Sequence, residues 1–402
     1  MLTAADVEAA ARRIGPAIYE SPLVYSETLS GLTGNSIYLK LENLQMTGSF
    51  KERGALNSIL NLTETQRKRG VVAASAGNHG QAVAYHAVRR GIRAEIWMPR
   101  HTPLIKLMAT RAYGAEVVLH GGNYDEAYLG AKQRSEESGA TFLHAFDDEM
   151  VIAGQGTLGL EIMRQNPDIE VIVTPVGGGG LAAGMGCAAK SLKPEVEIVG
   201  VQTARLPSMR AALDHGAPVT LDARSTLADG IAVRRTGELT LPLVREFVDS
   251  IVTVEEDEIA TAILVLLERE KTLAEGAGAA ALAAVLQGKT GHREKRLAVV
   301  ISGGNLDVSM LSRIIEQGLV RDGRRLRLRI LLPDHPGALE GLASVIARSN
   351  ANIVETFHNR AHYGVGLSET AIDVTMETRG REHVAELQAE LNQAGYEFSL
   401  VE

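Results

Sequence analysis

The chain has 402 residues, of which 45% are hydrophobic and 22% charged, and its formal net charge is −8. This length predicts two to three domains, and a negative net charge without basic clusters argues against a nucleic-acid partner. The single cysteine, Cys187, excludes an internal disulfide and a cysteine metal cluster. The sequence shows no signal-peptide pattern and no apolar run of ~20 residues, so it predicts a cytoplasmic protein with no membrane partner.

Apolar strands alternate with amphipathic helices through most of the chain. A helix is predicted at Ala4–Arg13 and a strand near Ile37–Leu41. Strands separated by helices pair in parallel, so the pattern predicts an α/β fold whose ligands bind beyond the carboxyl ends of the strands. The further predicted strands are Val71–Ser75, Ala94–Met98, Glu116–Leu119, Thr141–His144, Val171–Val176, Ile198–Gln202, Ile251–Val254 and Leu297–Ser302.

A polar turn runs into a predicted helix at Lys51. Thr47 and Ser49 are expected to cap this helix, which places Lys51 in its first turn, at the positive end of the helix dipole. A cation is disfavoured there, so the pKa of the amine should fall, and a neutral, desolvated lysine can condense with a carbonyl cofactor. The alternative is a solvated surface lysine, which is the usual state of this residue type.

Three strand ends carry loops of small residues, at positions 75–80, 177–180 and 302–305. Each loop alone is compatible with a tight turn. Because all three follow strands on the edge where ligands bind, we expect them to share one site. The four glycines at 177–180 (the glycine run) precede a helix, so their backbone N–H groups favour a phosphate. The P-loop and dinucleotide fingerprints are absent.

The composition changes near Arg325, where strict alternation predicts a half-buried antiparallel strand. The elements that follow have the βαββαβ order of a ferredoxin-like unit. We therefore predict a first domain over residues 1–318, with a small lobe at approximately 45–150, a linker at 319–325 and a second domain at 326–402.

The second domain resembles the ACT regulatory domains, whose relatives bind amino acids. The residues that carry this resemblance are Asp334, Pro336-Gly337 and Asn352. The resemblance implies that Asp334, Gly337 and Asn352 contact an amino-acid effector.

The first domain resembles the fold-type II pyridoxal-phosphate enzymes of the serine/threonine dehydratase family, from residue 15 to about 315. The resemblance implies a tryptophan-synthase-β-like fold with two lobes and parallel sheets, and pyridoxal 5'-phosphate as the cofactor. The motifs that carry it are Ser49-Phe50-Lys51, Ser75-Ala76-Gly77-Asn78-His79-Gly80, the glycine run, Leu227-Ala228-Asp229-Gly230, Ala274-Glu275-Gly276 and Ser302-Gly303-Gly304-Asn305.

The same resemblance implies a role for each motif. Lys51 would hold the cofactor and then move the Cα proton, Phe50 would pack beside the cofactor, and Asn78 would hydrogen-bond its 3-hydroxyl. The substrate carboxylate would bind at Ser75, Ala76, Gly77 and His79, and Ser75 would also be catalytic. The cofactor phosphate would bind at Gly177, Gly178, Gly179 and Gly180. The rest of the cofactor would contact Gly230, Glu275 and Ser302, and Ser302 would face the pyridine nitrogen.

Three of these residues bear on which reaction the site is expected to catalyse. Ser302 cannot stabilise a protonated pyridine ring as an aspartate would, which favours prompt loss of a β-substituent over transamination. Ala76 stands where racemases of the family carry a second serine, so proton exchange on the other face lacks its acid–base partner. For Glu275, a structural salt bridge and a place beside the ring are equally compatible with the sequence.

No metal is expected. Residues 201–208, where some relatives hold a divalent cation, contain no carboxylate. His358 and His362 are four residues apart, but they lie near a predicted strand rather than on a helix.

The activity that the resemblance implies is conversion of L-threonine to 2-oxobutanoate and ammonia, with L-serine as a weaker substrate. The ACT-like domain implies feedback by isoleucine with valine as antagonist, hence the first step of isoleucine biosynthesis, and relatives suggest a homodimer or homotetramer. The alternatives are a serine racemase/dehydratase or threo-3-hydroxyaspartate ammonia-lyase, and, from another class, a non-catalytic amino-acid sensor. Ala76 and the missing acidic cation ligands argue against both the racemase and the threo-3-hydroxyaspartate ammonia-lyase, and the intact lysine and loops argue against the sensor.

Overall fold

The computed structural model describes residues 2–359 and 368–401, and the chain forms two compact units, Met1–Asp307 and Val308–Glu402. The strands are β1 Leu23–Ser26, β2 Ser36–Leu41, β3 Val71–Ala74, β4 Ala94–Met98, β5 Glu116–Leu119, β6 Thr141–Phe142, β7 Val171–Pro175, β8 Glu197–Thr203, β9 Ser250–Val254, β10 Arg296–Ile301, β11 Arg325–Pro333, β12 Asn352–Asn359, β13 Glu369–Glu377 and β14 Glu397–Leu400.

The α-helices alternate with these strands through the first unit. They are α1 Ala4–Ile14, α2 Glu27–Thr33, α3 Lys51–Leu60, α4 Glu64–Arg69, α5 Asn78–Val88, α6 Leu104–Ala112, α7 Tyr124–Ser138, α8 Glu149–Gln165, α9 Gly180–Leu192, α10 Ser208–His215, α11 Thr240–Phe247, α12 Glu256–Glu268, α13 Gly276–Leu286, α14 Val308–Arg321, α15 Ala338–Arg348 and α16 Arg381–Gln393. Short 3-10 turns lie at Gly15–Ala17, Glu42–Leu44 and Asp229–Ile231. Among the described residues, no helix combines the length and the apolar character that crossing a membrane requires.

The first unit contains two sheets. One has six strands in the order β1-β2-β10-β7-β8-β9, in which only the β1–β2 pair is antiparallel, and the other has four parallel strands in the order β5-β4-β3-β6. The predicted α/β class with two parallel sheets is confirmed. Each strand predicted between Lys51 and Ser302 is present, with its ends within two residues of the expected positions.

The central strands are apolar because both of their faces are covered. Every residue of β3 and of β7 is buried, as expected for parallel strands between helix layers. The carboxyl ends of β3, β6, β7 and β10 all lead into loops at one region of the unit, and this region holds the candidate site.

The second unit is an antiparallel sheet with the order β12-β13-β11-β14 and an apolar core that includes residues of α15 and α16. The predicted βαββαβ order is confirmed, and it is consistent with an ACT-like domain. The division between the units falls at 307/308, before the linker predicted at 319–325. Residues 319–321 are the last residues of α14, and Arg325 is the first residue of β11.

Candidate active site

One large cavity, of about 870 Å³, opens at the carboxyl ends of the strands. The structure brings the three glycine-containing loops together in its wall. Every site residue predicted for the first domain lines it: Phe50, Lys51, Ser75, Ala76, Gly77, Asn78, His79, Gly177, Gly178, Gly179, Gly180, Gly230, Glu275 and Ser302.

Lys51 is the first residue of α3 and its amine faces the cavity. Nζ donates a hydrogen bond to the main-chain oxygen of Ala145 at 2.9 Å and lies 5.1 Å from the centre of the Phe50 ring. Burial lowers the pKa of the amine to about 8, and the charge of Glu275 opposes this shift only in part. The predicted direction is therefore right, but its main cause is loss of solvent rather than the helix start.

The prediction that Thr47 and Ser49 cap α3 is wrong. Both hydroxyl oxygens are buried without a hydrogen-bond partner among the described residues, and the residue before the helix is Phe50, which is already helical at φ −55° and ψ −20°. Side-chain caps need an extended residue at that point. The turn is held instead by the loop after β10, because Phe50 N–H donates to the Ser302 carbonyl oxygen at 3.0 Å.

Glu275, Asn78 and Asn305 form a connected polar wall. Asn78 Nδ2 donates to Glu275 Oε1 at 2.6 Å, and Asn305 Nδ2 donates to Asn78 Oδ1 at 2.8 Å. Burial raises the pKa of Glu275 to about 7, and the nearby charge of Asp229 adds to this shift. Of the two interpretations of Glu275, the structure favours the place in the site, since the partner of its carboxylate is an amide rather than a cation.

His79 is buried, and its ring points toward the end of β6. Nε2–H donates to the carbonyl oxygen of Leu143 at 3.0 Å, and burial lowers the pKa of the ring to about 3, so the imidazole is neutral. The part of His79 that is available to a carboxylate is its main-chain N–H, because the first turn of a helix leaves its N–H groups without intrahelical partners.

The glycine run fits a phosphate. A Cβ at Gly178 would lie 2.3 Å from the Phe146 ring, and Gly179, with φ +96°, is the residue before α9. Thr240 Oγ1 donates to the Gly178 carbonyl oxygen at 2.6 Å and fixes the peptide. The helix start therefore presents backbone donors without side chains between them and the cavity, which suits the phosphate of the cofactor that the motifs imply.

Sequence reasoning missed the loop after β6, residues 143–147. Ala145 binds the lysine through its carbonyl, Phe146 packs on the glycine run, and Asp147 accepts hydrogen bonds from main-chain N–H groups of residues 238–240 at 3.0 to 3.1 Å. A main-chain acceptor leaves no mark in the sequence. Asn305 was visible within a recognised motif, but no role had been predicted for it.

Two ion pairs join the lobes at the cavity wall, and neither was predicted. Lys106 of α6 pairs with Asp229, and Asp125 of α7 pairs with Arg234. In each pair one partner comes from the lobe of the four-stranded sheet. All four side chains are partly exposed, so each pair is expected to contribute at most about 1 kcal/mol to stability.

The structure does not bring the three predicted effector residues together within one copy. Asp334 and Gly337 follow β11, at the end of the sheet where Pro333 pairs with Glu369, whereas Asn352 lies beside Glu377. Eight steps along β13 separate these ends, a distance of about 26 Å. Asn352 donates to Glu377 Oε2 at 3.0 Å.

Within residues 2–359 and 368–401, no group of three His, Cys, Asp or Glu side chains is arranged to hold a metal ion. His362, considered with His358 in the sequence analysis, lies outside the described residues.

The sequence matches the family described as pyridoxal-phosphate dependent enzyme over residues 14–303. It is 50% identical over 401 residues to an L-threonine ammonia-lyase of Thermotoga maritima, with 100% of both chains covered. The solved structure of the processed form of threonine deaminase isoform 2 from Solanum lycopersicum matches with a TM-score of 0.74 and 39% identity, covering 78% of this chain and 91% of that chain. Serine racemase from Dictyostelium discoideum matches with a TM-score of 0.72 and 38% identity, covering 76% and 99%. The family inferred from the motifs is confirmed: the chain belongs to the pyridoxal-phosphate dependent enzymes.

Proposed function

We propose that this enzyme is an L-threonine ammonia-lyase, which converts L-threonine to 2-oxobutanoate and ammonia and acts more weakly on L-serine. The observation that carries the chemistry is the amine of Lys51, whose pKa is lowered to about 8 at the wall of a cavity that also contains the glycine run. The choice of substrate is supported by the full-length relative that bears this name.

The residues that would hold the cofactor are assigned from the resemblance to the family, and all of them line the cavity. We assign the phosphate to the N–H groups of the glycine run, the ring hydroxyl to Asn78 and the ring nitrogen to Ser302, with Phe50, Gly230 and Glu275 around the ring. When bound, pyridoxal phosphate supplies an electron sink for the pair left behind when the substrate's Cα–H bond breaks.

Lys51 is the proposed base. With a pKa of about 8, a large fraction of the amine is neutral at slightly alkaline pH, so Nζ can accept the Cα proton. The carbonyl of Ala145 fixes the position of Nζ through the 2.9 Å hydrogen bond.

The substrate carboxylate is assigned to the loop after β3. Ser75 supplies a hydroxyl, which already accepts a hydrogen bond from Gly77 N–H at 3.2 Å, and the first turn of α5 supplies N–H groups from Asn78 and His79. Ala76 places a methyl group where a second acid–base serine would be needed for racemisation. This supports elimination over racemisation on a scaffold that the Dictyostelium serine racemase shares.

The test is 2-oxo-acid release from L-threonine, L-serine and D-serine by the holoenzyme, with chiral analysis of the remaining serine. We expect L-threonine to be the best substrate and the serine to keep its configuration. Faster turnover of D-serine, or exchange between L- and D-serine, would assign the enzyme to the racemases. A chain that gained no visible absorbance band with pyridoxal phosphate, and no borohydride-fixed label on Lys51, would support the sensor.

Regulation and assembly are also proposals. We assign an effector role to the predicted ACT-like domain, residues 326–402, with isoleucine as inhibitor and valine as antagonist, in a cytoplasmic homodimer or homotetramer at the first step of isoleucine biosynthesis. The βαββαβ order of the second unit, which is consistent with an ACT-like domain, supports the effector role. Rates of 2-oxobutanoate release with and without isoleucine, for the full chain sized by light scattering, test both parts.

A further inference from the structure

Gln155, in the middle of α8, is a buried amide without a partner. Its side chain is 1% exposed, and neither Nε2 nor Oε1 has a hydrogen-bond partner in the described part of the chain. It lines the same cavity as Lys51 and the glycine run. Because nearly all buried polar groups in folded proteins are hydrogen-bonded, an amide that lacks a partner on both sides and lines a cavity is available to a ligand in that cavity.

The packing of α8 against α3 makes room for this amide. A Cβ at Gly54 would lie 2.5 Å from Gln155 Nε2 and 2.8 Å from the Val151 carbonyl oxygen. Gly54 is three residues after Lys51 on the same helix, so the space that it leaves lies one turn from the lysine. The glutamine is therefore accommodated beside the base of the cofactor-binding lysine.

A second glutamine of α8 shows what a structural amide looks like in this protein. Gln165 Oε1 accepts from Lys40 Nζ at 3.0 Å, and its Nε2 donates to the Ser21 carbonyl oxygen at 3.0 Å. Both of its polar atoms are used within the chain. Neither polar atom of Gln155 has a partner in the described part of the chain, although Gln155 is buried and Gln165 is exposed.

Two donors of the cavity wall are already engaged, whereas Thr236 Oγ1, like the Gln155 amide, is buried without a partner among the described residues. Thr240 Oγ1 donates to the Gly178 carbonyl oxygen and Lys51 Nζ donates to the Ala145 carbonyl oxygen. A phosphate with about two negative charges would accept more hydrogen bonds than the run alone provides. The Gln155 amide is a donor that faces the cavity and is not committed elsewhere.

We propose that Gln155 is a ligand of the cofactor phosphate, with Nε2 donating to a phosphate oxygen that the N–H groups of the glycine run also bind. The proposal rests on the phosphate position assigned above. It makes α8 part of the cofactor site, and it gives Gly54 the function of leaving space for the amide.

The test compares two ligands on the full-length apoprotein: pyridoxal phosphate and pyridoxal, which lacks the phosphate. Dissociation constants are measured from the bound chromophore for the parent, for Gln155→Leu and for Gln155→Glu, with Gln133→Leu, an exposed glutamine of α7, as the control. Thermal unfolding of each apoprotein is measured beside them. If Gln155→Leu does not fold, Gln155→Glu, which has nearly the same volume, carries the comparison.

We expect Gln155→Leu to weaken pyridoxal phosphate about ten- to hundredfold, as for loss of a hydrogen bond to a charged group, and to leave pyridoxal within about twofold. Gln155→Glu should be weaker still, because a carboxylate would face the phosphate. The Gln155→Leu apoprotein should be at least as stable as the parent apoprotein, since the substitution removes an unpaired buried amide.

Equal losses for both ligands would move the contact to the ring or the lysine and overturn the proposal. So would unchanged affinity for pyridoxal phosphate, or a less stable apoprotein whose affinity is unaltered. If the parent itself bound pyridoxal as tightly as pyridoxal phosphate, the phosphate site assigned to the glycine run would be wrong. This result would therefore be distinguished from an error in the role of Gln155 alone.

Discussion

Lys51 and Arg53 are two residues apart on α3, and both carry a basic group into the protein, but their surroundings differ. The Arg53 guanidinium is fully buried and donates to Glu42 and Glu161 at distances from 2.6 to 2.8 Å. Burial alone would lower its pKa, but the two carboxylates raise it well above the ordinary value. Lys51 has a carbonyl as its close acceptor, and its pKa falls to about 8.

Two buried carboxylates, Glu42 and Glu275, differ in the same way as the two basic groups. Burial alone would raise the pKa of Glu42, yet Arg53 beside it holds this pKa below the ordinary value. Glu275, which is also buried but hydrogen-bonded to an amide, has a pKa raised to about 7. Burial with an ionic partner thus keeps a group charged and structural, whereas burial beside neutral partners brings its pKa toward the range where proton transfer takes place.

The strongest test of this comparison is Lys51→Ala. If Lys51 is the base, turnover of L-threonine should fall by about 1000-fold or more, while the unfolding transition keeps its cooperativity. Steady-state 2-oxobutanoate release and urea unfolding measure the two properties. Lys68→Ala, at an exposed position of α4, should keep the parent rate, and activity near that of the parent in Lys51→Ala would place the base elsewhere.

Arg53→Met tests the other side of the comparison. Two buried carboxylates would lose their cation, so we expect the free energy of unfolding to fall by about 3–5 kcal/mol. Urea unfolding of the apoprotein measures this loss. Arg12→Met, which removes an exposed pair with Glu8, should change stability by less than about 0.5 kcal/mol. A similar small change at position 53 would contradict the structural role of the network.

The pH dependence of Lys51→Met sharpens the comparison further. A folded-state pKa of about 8 lies below the unfolded value, so between pH ~8 and ~10.4 the unfolded chain binds more protons and the stability of the parent apoprotein rises with pH. Removing the amine should therefore stabilise the apoprotein below pH 8, by about 2 kcal/mol after allowance for its partial exposure. Urea unfolding at pH 7 and pH 10 should show this gain shrinking, and a gain that is constant with pH would refute the assigned shift.

Thr240→Val is the mildest change that we expect to measure. It leaves the Gly178 carbonyl oxygen without its buried donor and should lower the free energy of unfolding by about 1 kcal/mol. Affinity for pyridoxal phosphate, measured by absorbance, should fall a fewfold because the peptide is less firmly held. Thr261→Val, which removes a similar bond to the Asp257 carbonyl at the surface, provides the matched control. An equal effect at both positions would show that the bond at Gly178 has no special part in the site.

The buried strands could be predicted because parallel strands covered on both faces need continuous apolar runs, as in β3 and β7. Strand β1 was not predicted, since its four residues lie at a sheet edge and show no regular alternation of burial. The site residues that could be predicted were those in loops with unusual composition. Gln155 and Ala145 could not, because one lies inside an ordinary helix and the other acts through its main chain.

The loop of residues 143–147 has a consequence for how the enzyme can vary. Leu143 and Ala145 hold His79 and Lys51 through carbonyl oxygens, which every amino acid possesses, so replacing either side chain leaves the acceptor in place. Asp147 meets residues 238–240 two positions later, which fixes the spacing along the loop. Residue 145 can therefore change in evolution without loss of its acceptor, whereas Leu143 is also constrained because its side chain is buried in the core. Inserting or deleting one residue in this loop would displace both acceptors relative to Asp147.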